Sequence, residues 1–385
     1  MANSYDTPTF SHDLNEVLGV FSELEDPRRS NATRHIFSEL LFISLSALIC
    51  GADGFTAMAR FAQAKKEWLE QLLELPNGLP SHDAFGDLYA LLDPEAFNTC
   101  FMQWVSPLRK EFDAEVVAID GKAMRRSHDH SRGLQMVHTV SAWADRNKLV
   151  LGQLCVEDKS NEITAIPKLL ELLCLEGSIV TIDAMGTQKK IAAKIVEKKA
   201  DYILALKENH ETFYQEVQTL FADQETLEDF ASQGKRLEES TAFDKGHGRL
   251  ETRRCVAIEA VDWYREHWQW EGLRSLVMIE STRQVGEDPP TVQKRYYISS
   301  LGAQSQLISN AIRSHWGIES MHWTLDMTFR EDESRVRLGH AAKTLSIARK
   351  FALNLLRKAP GKDSIKGKQQ TAGWNQEYLM KILQA

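Results

Sequence analysis

Between Glu115 and Leu206 the chain repeatedly changes its hydrophobic period, and this restricts the possible folds more than any other feature. Val116-Val117-Ala118-Ile119 is a short apolar run ending in Asp120-Gly121. Met136 to Ala144 and Leu149 to Val156 read as two further strands, with Asn147-Lys148 as the turn between them. Ser160-Asn161-Glu162 offers a helix start, and Ile163 to Leu175 is apolar at helical spacing. Pro167 falls near the first turn, where proline is tolerated. Ile179-Val180-Thr181-Ile182 is a fourth strand ending in Asp183, Lys189 to Lys199 a helix, and Tyr202 to Leu206 a fifth strand. Three strands, then helix, strand, helix, strand, predict an α/β sheet begun by an antiparallel meander.

The flanks differ. Residues 1–110 predict a helical N-terminal domain, with helices over Arg34 to Cys50 and Phe55 to Leu75, and a third capped by Ser81 and running through Leu92. Asp93-Pro94 opens a fourth. Such a bundle is either a DNA-end-binding module or only a helical prefix. Residues 211–232 read as an acidic helix. From Arg236 to Ser300 the texture is β-like, with strands at Arg249 to Glu259, Leu276 to Thr282 and Gln293 to Ser299. From Gln304 to Leu356 the chain is helical again, and the Lys-, Gly- and Gln-rich tail after Pro360 is expected to be mobile up to Trp374.

Hydrophobic residues make up 43% and charged residues 26% of the 385, which excludes a mostly disordered chain. The longest apolar run, Leu40 to Cys50, is too short to span a bilayer and carries Ser44 and Ser46. The first 20 residues lack the basic and apolar regions of a signal peptide. Five cysteines without a C-x-x-C pair argue against a disulfide framework or thiolate metal cage and suit a reducing cytoplasm. Net charge is 46 − 54 = −8, yet Arg335 to Gln370 holds ten Lys or Arg against Asp363 alone. Such segregation builds either a polyanion-binding face or a solvated helix face with a basic tail.

Asp120 and Asp183 each end an apolar strand, and residues at the carboxyl ends of strands face the crevice where ligands bind. Two carboxylates there repel each other unless a cation neutralises them or one stays protonated. Clustered oxygen ligands suit Mg²⁺ or Mn²⁺. Taken singly, each Asp reads better as the start of a turn; the pair together with a third acid shifts the balance. A third acid is expected on the helical segment Arg313 to Glu333, where Glu319, His322, Trp323 and Asp326 share one face. A core stripe would not carry two carboxylates, and a solvent stripe would not carry Trp316 and Trp323. A polar-core hydrogen-bond network is the alternative.

These stretches resemble the bacterial insertion-sequence DDE transposases, in particular the group that includes the H-repeat-associated proteins of Rhs elements. The likeness is carried by Ala118-Ile-Asp-Gly-Lys-Ala-Met-Arg-Arg-Ser127, Leu151-Gly-Gln153, Lys159-Ser-Asn-Glu-Ile-Thr-Ala-Ile-Pro-Lys168 and Thr181-Ile-Asp-Ala-Met-Gly-Thr-Gln188. Ala205-Leu-Lys-Glu-Asn209, His247-Gly-Arg-Leu-Glu-Thr-Arg253 and the block from His315-Trp-Gly-Ile-Glu319 to Glu331-Asp332 extend it, from about Phe21 to about Arg357. The resemblance implies an RNase H-like mixed-sheet core (111–210 and 301–358) with a β-rich insertion (211–300), preceded by the helical domain and followed by a basic tail (359–385). It places the triad on Asp120, Asp183 and Glu319 as ligands of Mg²⁺ or Mn²⁺. The wider superfamily's third-acid signature carries Tyr, Arg and Lys where this chain has Ile312, His315 and Asp326, so the DNA-end contact usually given to that Lys does not transfer to Asp326.

The implied activity is metal-dependent cleavage at insertion-sequence ends and strand transfer by the freed 3′-hydroxyl. The implied partner is double-stranded DNA, with a homodimer expected because two element ends are processed together. Lys122, Arg125 and Arg126 after Asp120, and Lys189 and Lys190 after Asp183, sit where phosphates should run, or are ordinary solvated cations. Arg349 and Lys350 in the basic run are expected on the DNA path. The turn at His247-Gly248-Arg249 approaches DNA by resemblance alone, and sequence says only loop. His322 and Asp326 are candidate supporting residues near the triad. Trp263, Trp268 and Trp270 either stack on a base or pack in the core. His128-Asp129-His130 has no companion ligands at zinc spacing and reads as a surface loop. Two rivals stay open: a transposase-derived DNA-binding protein without activity, and an aspartyl-phosphate phosphatase. The second needs an Asp where Lys122 stands.

Overall fold

A computed structural model describes residues 19–384 except 22, 30–32, 110–113, 129–132, 134, 157–161, 233–235, 247 and 260–261. Its centre is one nine-stranded mixed sheet in the order β3-β2-β1-β4-β5-β9-β8-β7-β6. The strands are β1 (Val116–Ala123), β2 (His138–Ala144), β3 (Leu149–Val156), β4 (Ile179–Ile182), β5 (Asp201–Leu206), β6 (Arg236–Gly246), β7 (Arg249–Glu259), β8 (Ser275–Val285) and β9 (Thr291–Ser299). β1 to β3 form the antiparallel meander, while β4 and β5 join in parallel. This is the RNase H-like α/β core expected from the sequence.

The insertion does not fold as a separate layer. β9 pairs antiparallel with β5, Leu204 opposite Ile298, and β8, β7 and β6 follow outward. An exposed β5 edge would present unpaired backbone groups, and the insertion covers it. The acidic segment divides into two helices, Glu211–Ala222 and Gln224–Ser232, and a short helix Asp262–Trp268 lies between β7 and β8.

Helices cover the two faces of the core sheet. One face packs the N-terminal helices α1 (Phe37–Ile49), α2 (Phe55–Ala64), α3 (Lys66–Leu72), α4 (His82–Leu91) and α5 (Pro94–Val105) around a C-terminal helix, Ala341–Lys358. Ser81 and Asp93 cap α4 and α5 through their side chains, as their positions before each helix require. The second expected helix breaks at Lys65 into α2 and α3. The other face is covered by α6 (Glu162–Leu172) and α7 (Lys189–Glu197).

The stretch expected to be mobile up to Trp374 instead carries a helix, Ile365–Trp374, capped by Ser364, and a further helix, Gln376–Leu383, capped by Asn375, follows it. Ala372, Leu379, Met380, Ile382 and Leu383 are buried in the same core as α1. The polar composition misled because polar side chains are themselves buried there: Lys368 donates to the carbonyls of Leu356 and Ala359, and Gln369 to that of Leu48. Among the described residues, no helix is long and apolar enough to cross a membrane.

Candidate active site

Asp120 lies within β1 rather than at its end. Pairing with β2 carries the strand on to Ala123, and Asp120 faces Ser141 in register. β4 runs parallel to β1 with Ile182 beside Ile119, so Asp120 and Asp183 each follow one member of a paired register position. Glu319 comes from the first turn of α12, Trp316–Met327, which follows α11, Ser305–Ser314. The helices on 211–232 and 262–268 are counted here as α8, α9 and α10. All three acids line one cleft of about 560 Å³.

Local packing fixes each acid. The Gly186 N–H donates to Asp183 Oδ1 at 3.2 Å, and the Thr187 hydroxyl sits against the carbonyls of Asp183 and Ala205 at 3.1 and 2.6 Å. Asn209 donates to the Ala184 carbonyl at 2.6 Å. His315, at the junction of α11 and α12, meets the Thr181 hydroxyl at 2.9 Å through Nδ1. Gly317 brings α12 against β2: a Cβ there would lie 2.5 Å from Asp145 Oδ1 and 2.8 Å from the buried Trp143 Nε1.

The electrostatics are those of crowded carboxylates. Burial and then the charge of Asp183 push the Asp120 carboxyl up to about 7. Glu319 and Glu162 add to this, and a backbone N–H from Gly121 opposes it. His322 places Nδ1 3.5 Å from Asp120 Oδ2. Burial, with Lys350 and Lys122 nearby, lowers its pKa to about 3, so the contact is between a carboxyl and a neutral imidazole rather than an ion pair.

Among the described residues, no three His, Cys, Asp or Glu side chains are gathered tightly enough to hold an ion as they stand. The donor chemistry fits one. Three carboxylates supply hard oxygens to one cleft, and their mutual repulsion at Asp120 is what a divalent cation relieves.

The proposed DNA contacts divide. Lys189 and Lys190 are exposed at the start of α7, just past the Asp183 turn. Arg125 and Arg126 are exposed, Arg125 lying 3.3 Å from Asp332. Arg249 starts β7 within 3.8 Å of Glu251, and His247 lies outside the described residues, as do Asp129 and His130.

Three expectations are corrected. The Lys122 side chain is only 9% exposed and binds Asp326 and, at 2.8 Å, Glu331. Arg349 and Lys350 are buried in the helix 341–358, counted as α13. Arg349 donates to the Asp53 carbonyl at 3.1 Å, and Lys350 contacts Gln153 and, at 3.0 Å, Ser346. None of the three faces a surface on which DNA can lie. The basic run misled because its periodicity could not distinguish charged side chains held inside from those held out.

Trp316 and Trp323 do not avoid solvent as expected, being 49% and 63% exposed. Trp270 is buried and Trp268 stacks on Phe213 at 4.9 Å, so both pack in the core, while Trp263 is exposed. The cleft also holds Lys207, Lys294, Arg295 and Trp316, with the Arg295 guanidinium 5.7 Å from the Trp316 ring centroid. Sequence reasoning missed these as site residues. Lys207 had a signal, since it lies within Ala205-Leu-Lys-Glu-Asn209. Lys294 and Arg295 had none, because only the pairing of β9 with β5 brings them there.

A sheet of this order, with acids on β1, after β4 and on a following helix, defines the RNase H-like class. Residues 111–355 match the family described as Transposase DDE domain, and residues 18–105 match its companion, DDE_Tnp_1-associated. The chain therefore belongs to the DDE transposase family. It is 37% identical over 379 residues to "Putative transposase YncI" of Escherichia coli O157:H7, covering 96% of this chain and 95% of that protein. It is 32% identical over 377 residues to "H repeat-associated putative transposase YhhI" of Escherichia coli strain K12, covering 96% and 98%. A third relative, "Uncharacterized protein in dhlA 3'region" of Xanthobacter autotrophicus, is 40% identical over 282 residues, 73% of this chain and 92% of that one.

Proposed function

We propose that this chain cuts phosphodiester bonds at the ends of an insertion sequence and joins the freed 3′-hydroxyl to target DNA. The observation that carries the reading is that Asp120, Asp183 and Glu319, far apart in sequence, line a single cleft. They would hold Mg²⁺ or Mn²⁺. When bound there, a divalent ion polarises the phosphate and lowers the pKa of the attacking water or hydroxyl.

The rest falls to the chain's own groups. Asp120, with its pKa near 7, gives up its proton as a cation is held. The neutral His322 ring limits where the Asp120 carboxyl can turn. Lys207, Lys294 and Arg295 in the cleft, with Lys189 and Lys190 beside it, offer positive charge to the phosphate backbone. Trp316 offers an aromatic face to a base. Double-stranded DNA ending in the element's inverted repeats is the substrate, and a homodimer would bring two ends together.

The test is cleavage of a plasmid carrying those repeats, with Mg²⁺ or Mn²⁺ supplied. Wild-type protein should cut at the repeats. Asp120→Asn, Asp183→Asn and Glu319→Gln should each bind the repeats in a gel shift and leave them uncut. A variant that cleaves near the wild-type rate removes that residue from the triad. Wild-type binding without cleavage makes the chain a DNA-binding relic, and phosphate-ester turnover without DNA makes it a phosphatase.

A further inference from the structure

The matched stretches 181–188 and 205–209 lend only Asp183 and Lys207 to the reading above, yet the structure ties the two stretches to each other. Asp183 differs from its two partners in how it is held. Asp120 sits inside a paired strand and Glu319 in a helix, so backbone hydrogen bonds fix both. β4 ends at Ile182, one residue short of Asp183, and its register with β1 and β5 ends there too. The second acid therefore stands on a turn, and a turn keeps its shape only where its backbone groups find partners. Asp183 Oδ1 accepts the Gly186 N–H at 3.2 Å, so the carboxyl moves with that turn.

The partners come from the corner where the insertion begins. Asn209 Nδ2 donates to the Ala184 carbonyl at 2.6 Å. His210 Nε2 lies 2.7 Å from the Thr187 carbonyl. A carbonyl oxygen only accepts, so Nε2 carries the hydrogen and the ring is the donor. The two side chains grip the turn at both ends, one just after Asp183 and one just before Gln188. His210 is itself backed by the insertion. Its ring meets the buried Trp270 edge to face, with centroids 5.3 Å apart and planes at 78°. The same corner places Lys207 and Glu208 in the cleft.

We propose that Asn209 and His210 are positioning residues for Asp183, through which the insertion sets where the second acid stands in the cleft. The inference rests on the reading that Asp120, Asp183 and Glu319 hold a divalent cation. Neither residue needs to touch the ion. Groups that only orient a metal-binding side chain still change metal affinity by about ten- to a hundredfold when lost.

The experiment measures Mn²⁺ twice: by calorimetric titration of the full-length, DNA-free protein, and as the Mn²⁺ dependence of cleavage of a plasmid carrying the repeats. His210→Phe keeps a ring against Trp270 and loses the donor, while His210→Gln keeps a donor near the Nε2 position. Asn209→Ala removes the other donor at an exposed site, and it serves if His210→Phe does not fold. His210→Phe and Asn209→Ala should each weaken Mn²⁺ binding about tenfold or more. The Mn²⁺ needed for half-maximal cleavage should rise by the same factor, with the rate at saturating Mn²⁺ and repeat binding in EDTA close to wild type. His210→Gln should restore most of the affinity. Wild-type Mn²⁺ affinity in both donor-less variants overturns the proposal, as does a His210→Gln protein that binds no tighter than His210→Phe. So does a lowered metal-free Tm with cleavage reduced equally at every Mn²⁺ concentration, the mark of a structural role. If Asp183→Asn loses Mn²⁺ while His210→Phe and Asn209→Ala keep it, only the positioning role fails. If the wild type binds no Mn²⁺, or all three triad variants bind it normally, the triad reading fails as well.

Discussion

Lys122 on β1 reaches Asp326 on α12, and so ties the strand that carries Asp120 to the helix that carries Glu319. The same ammonium lies 2.8 Å from Glu331, which is 1% exposed, and 3.9 Å from Asp332. Lys122 is held above its usual pKa by Glu331 and Asp326 against the opposing effect of burial. Glu331 is held below the usual carboxylate range by Lys122, Lys350 and Arg349, again against burial. Asp326 moves the other way although it shares the same lysine, because its burial and the charges of Asp332 and Glu331 outweigh that contact. Lys122 thus joins Asp326 on α12 to the buried Glu331. Where the wider superfamily carries a lysine for DNA, this chain carries an aspartate that binds its own β1.

Replacing Lys122 with Met should therefore act on stability before it acts on DNA. It leaves Glu331 buried without its nearest cation, and breaking a buried pair from one side costs about 3–5 kcal/mol. Urea unfolding at neutral pH should read a loss of that order. Glu331 contributes stability above its ordinary pKa of 4.5 that is lost as pH falls, so the gap between wild type and variant should narrow in acid. A variant within about 0.5 kcal/mol of wild type at neutral pH would mean the network is not structural.

Salt dependence separates the buried cations from the exposed ones. Each phosphate contact removed should flatten the slope of log K against log salt by about 0.9 for duplex DNA. Lys189→Ala with Lys190→Ala, or Lys294→Ala with Arg295→Ala, should flatten it. Lys350→Met should leave the slope unchanged and lower the Tm, because its ammonium lies against Gln153 and Ser346 inside the protein. A flattened slope for a folded Lys350→Met protein would place that lysine on the DNA.

The metal-free protein should lose stability as pH rises toward 7. Asp120 is raised from its ordinary 3.8 to about 7, chiefly by burial and Asp183. A group raised in the folded state contributes stability that is complete below its unfolded pKa and is lost as pH climbs through the folded one. At about 1.36 kcal/mol per pKa unit the loss between pH 4 and pH 8 is up to ~4 kcal/mol. Asp120→Asn should flatten that part of the profile, measured by urea unfolding in EDTA. The same profile in both proteins would show that Asp120 is ionised throughout.

Much of this was readable beforehand because it is local. The apolar runs at 116–119 and 179–182 mark β1 and β4, and Ser81 and Asp93 mark helix starts through the hydrogen bonds they make. What failed depended on partners distant in the chain. The end of β1 is decided by β2, the fate of Lys122 by Glu331, and the burial of Arg349 and Lys350 by the loop at Asp53 and by Gln153 on β3. A lysine two residues after a site acid reads as a phosphate contact until the acid that captures it, far along the chain, is known to be near. Glu162 was legible only as a helix start, since its closeness to Gly121 requires β1 and α6 to be packed.

Gly317 offers a test of how closely α12 must approach the sheet. A Cβ at this position meets a flexible group, Asp145 Oδ1 at 2.5 Å, and a rigid one, the indole Nε1 of Trp143 at 2.8 Å. The aspartate can turn away, but Trp143 is 1% exposed and hemmed in, with the Arg357 guanidinium 4.8 Å from its ring centroid. Gly317→Ala must therefore lift the first turn of α12, which carries Glu319 two residues on. Overpacking of this kind costs about 1–3 kcal/mol. The displaced Glu319 should lower the cleavage rate by tenfold or more while repeat binding in a gel shift is retained, since the cations of the cleft come from other elements. Wild-type cleavage by a folded Gly317→Ala protein would mean that α12 tolerates the shift and that Glu319 does not depend on this contact for its place.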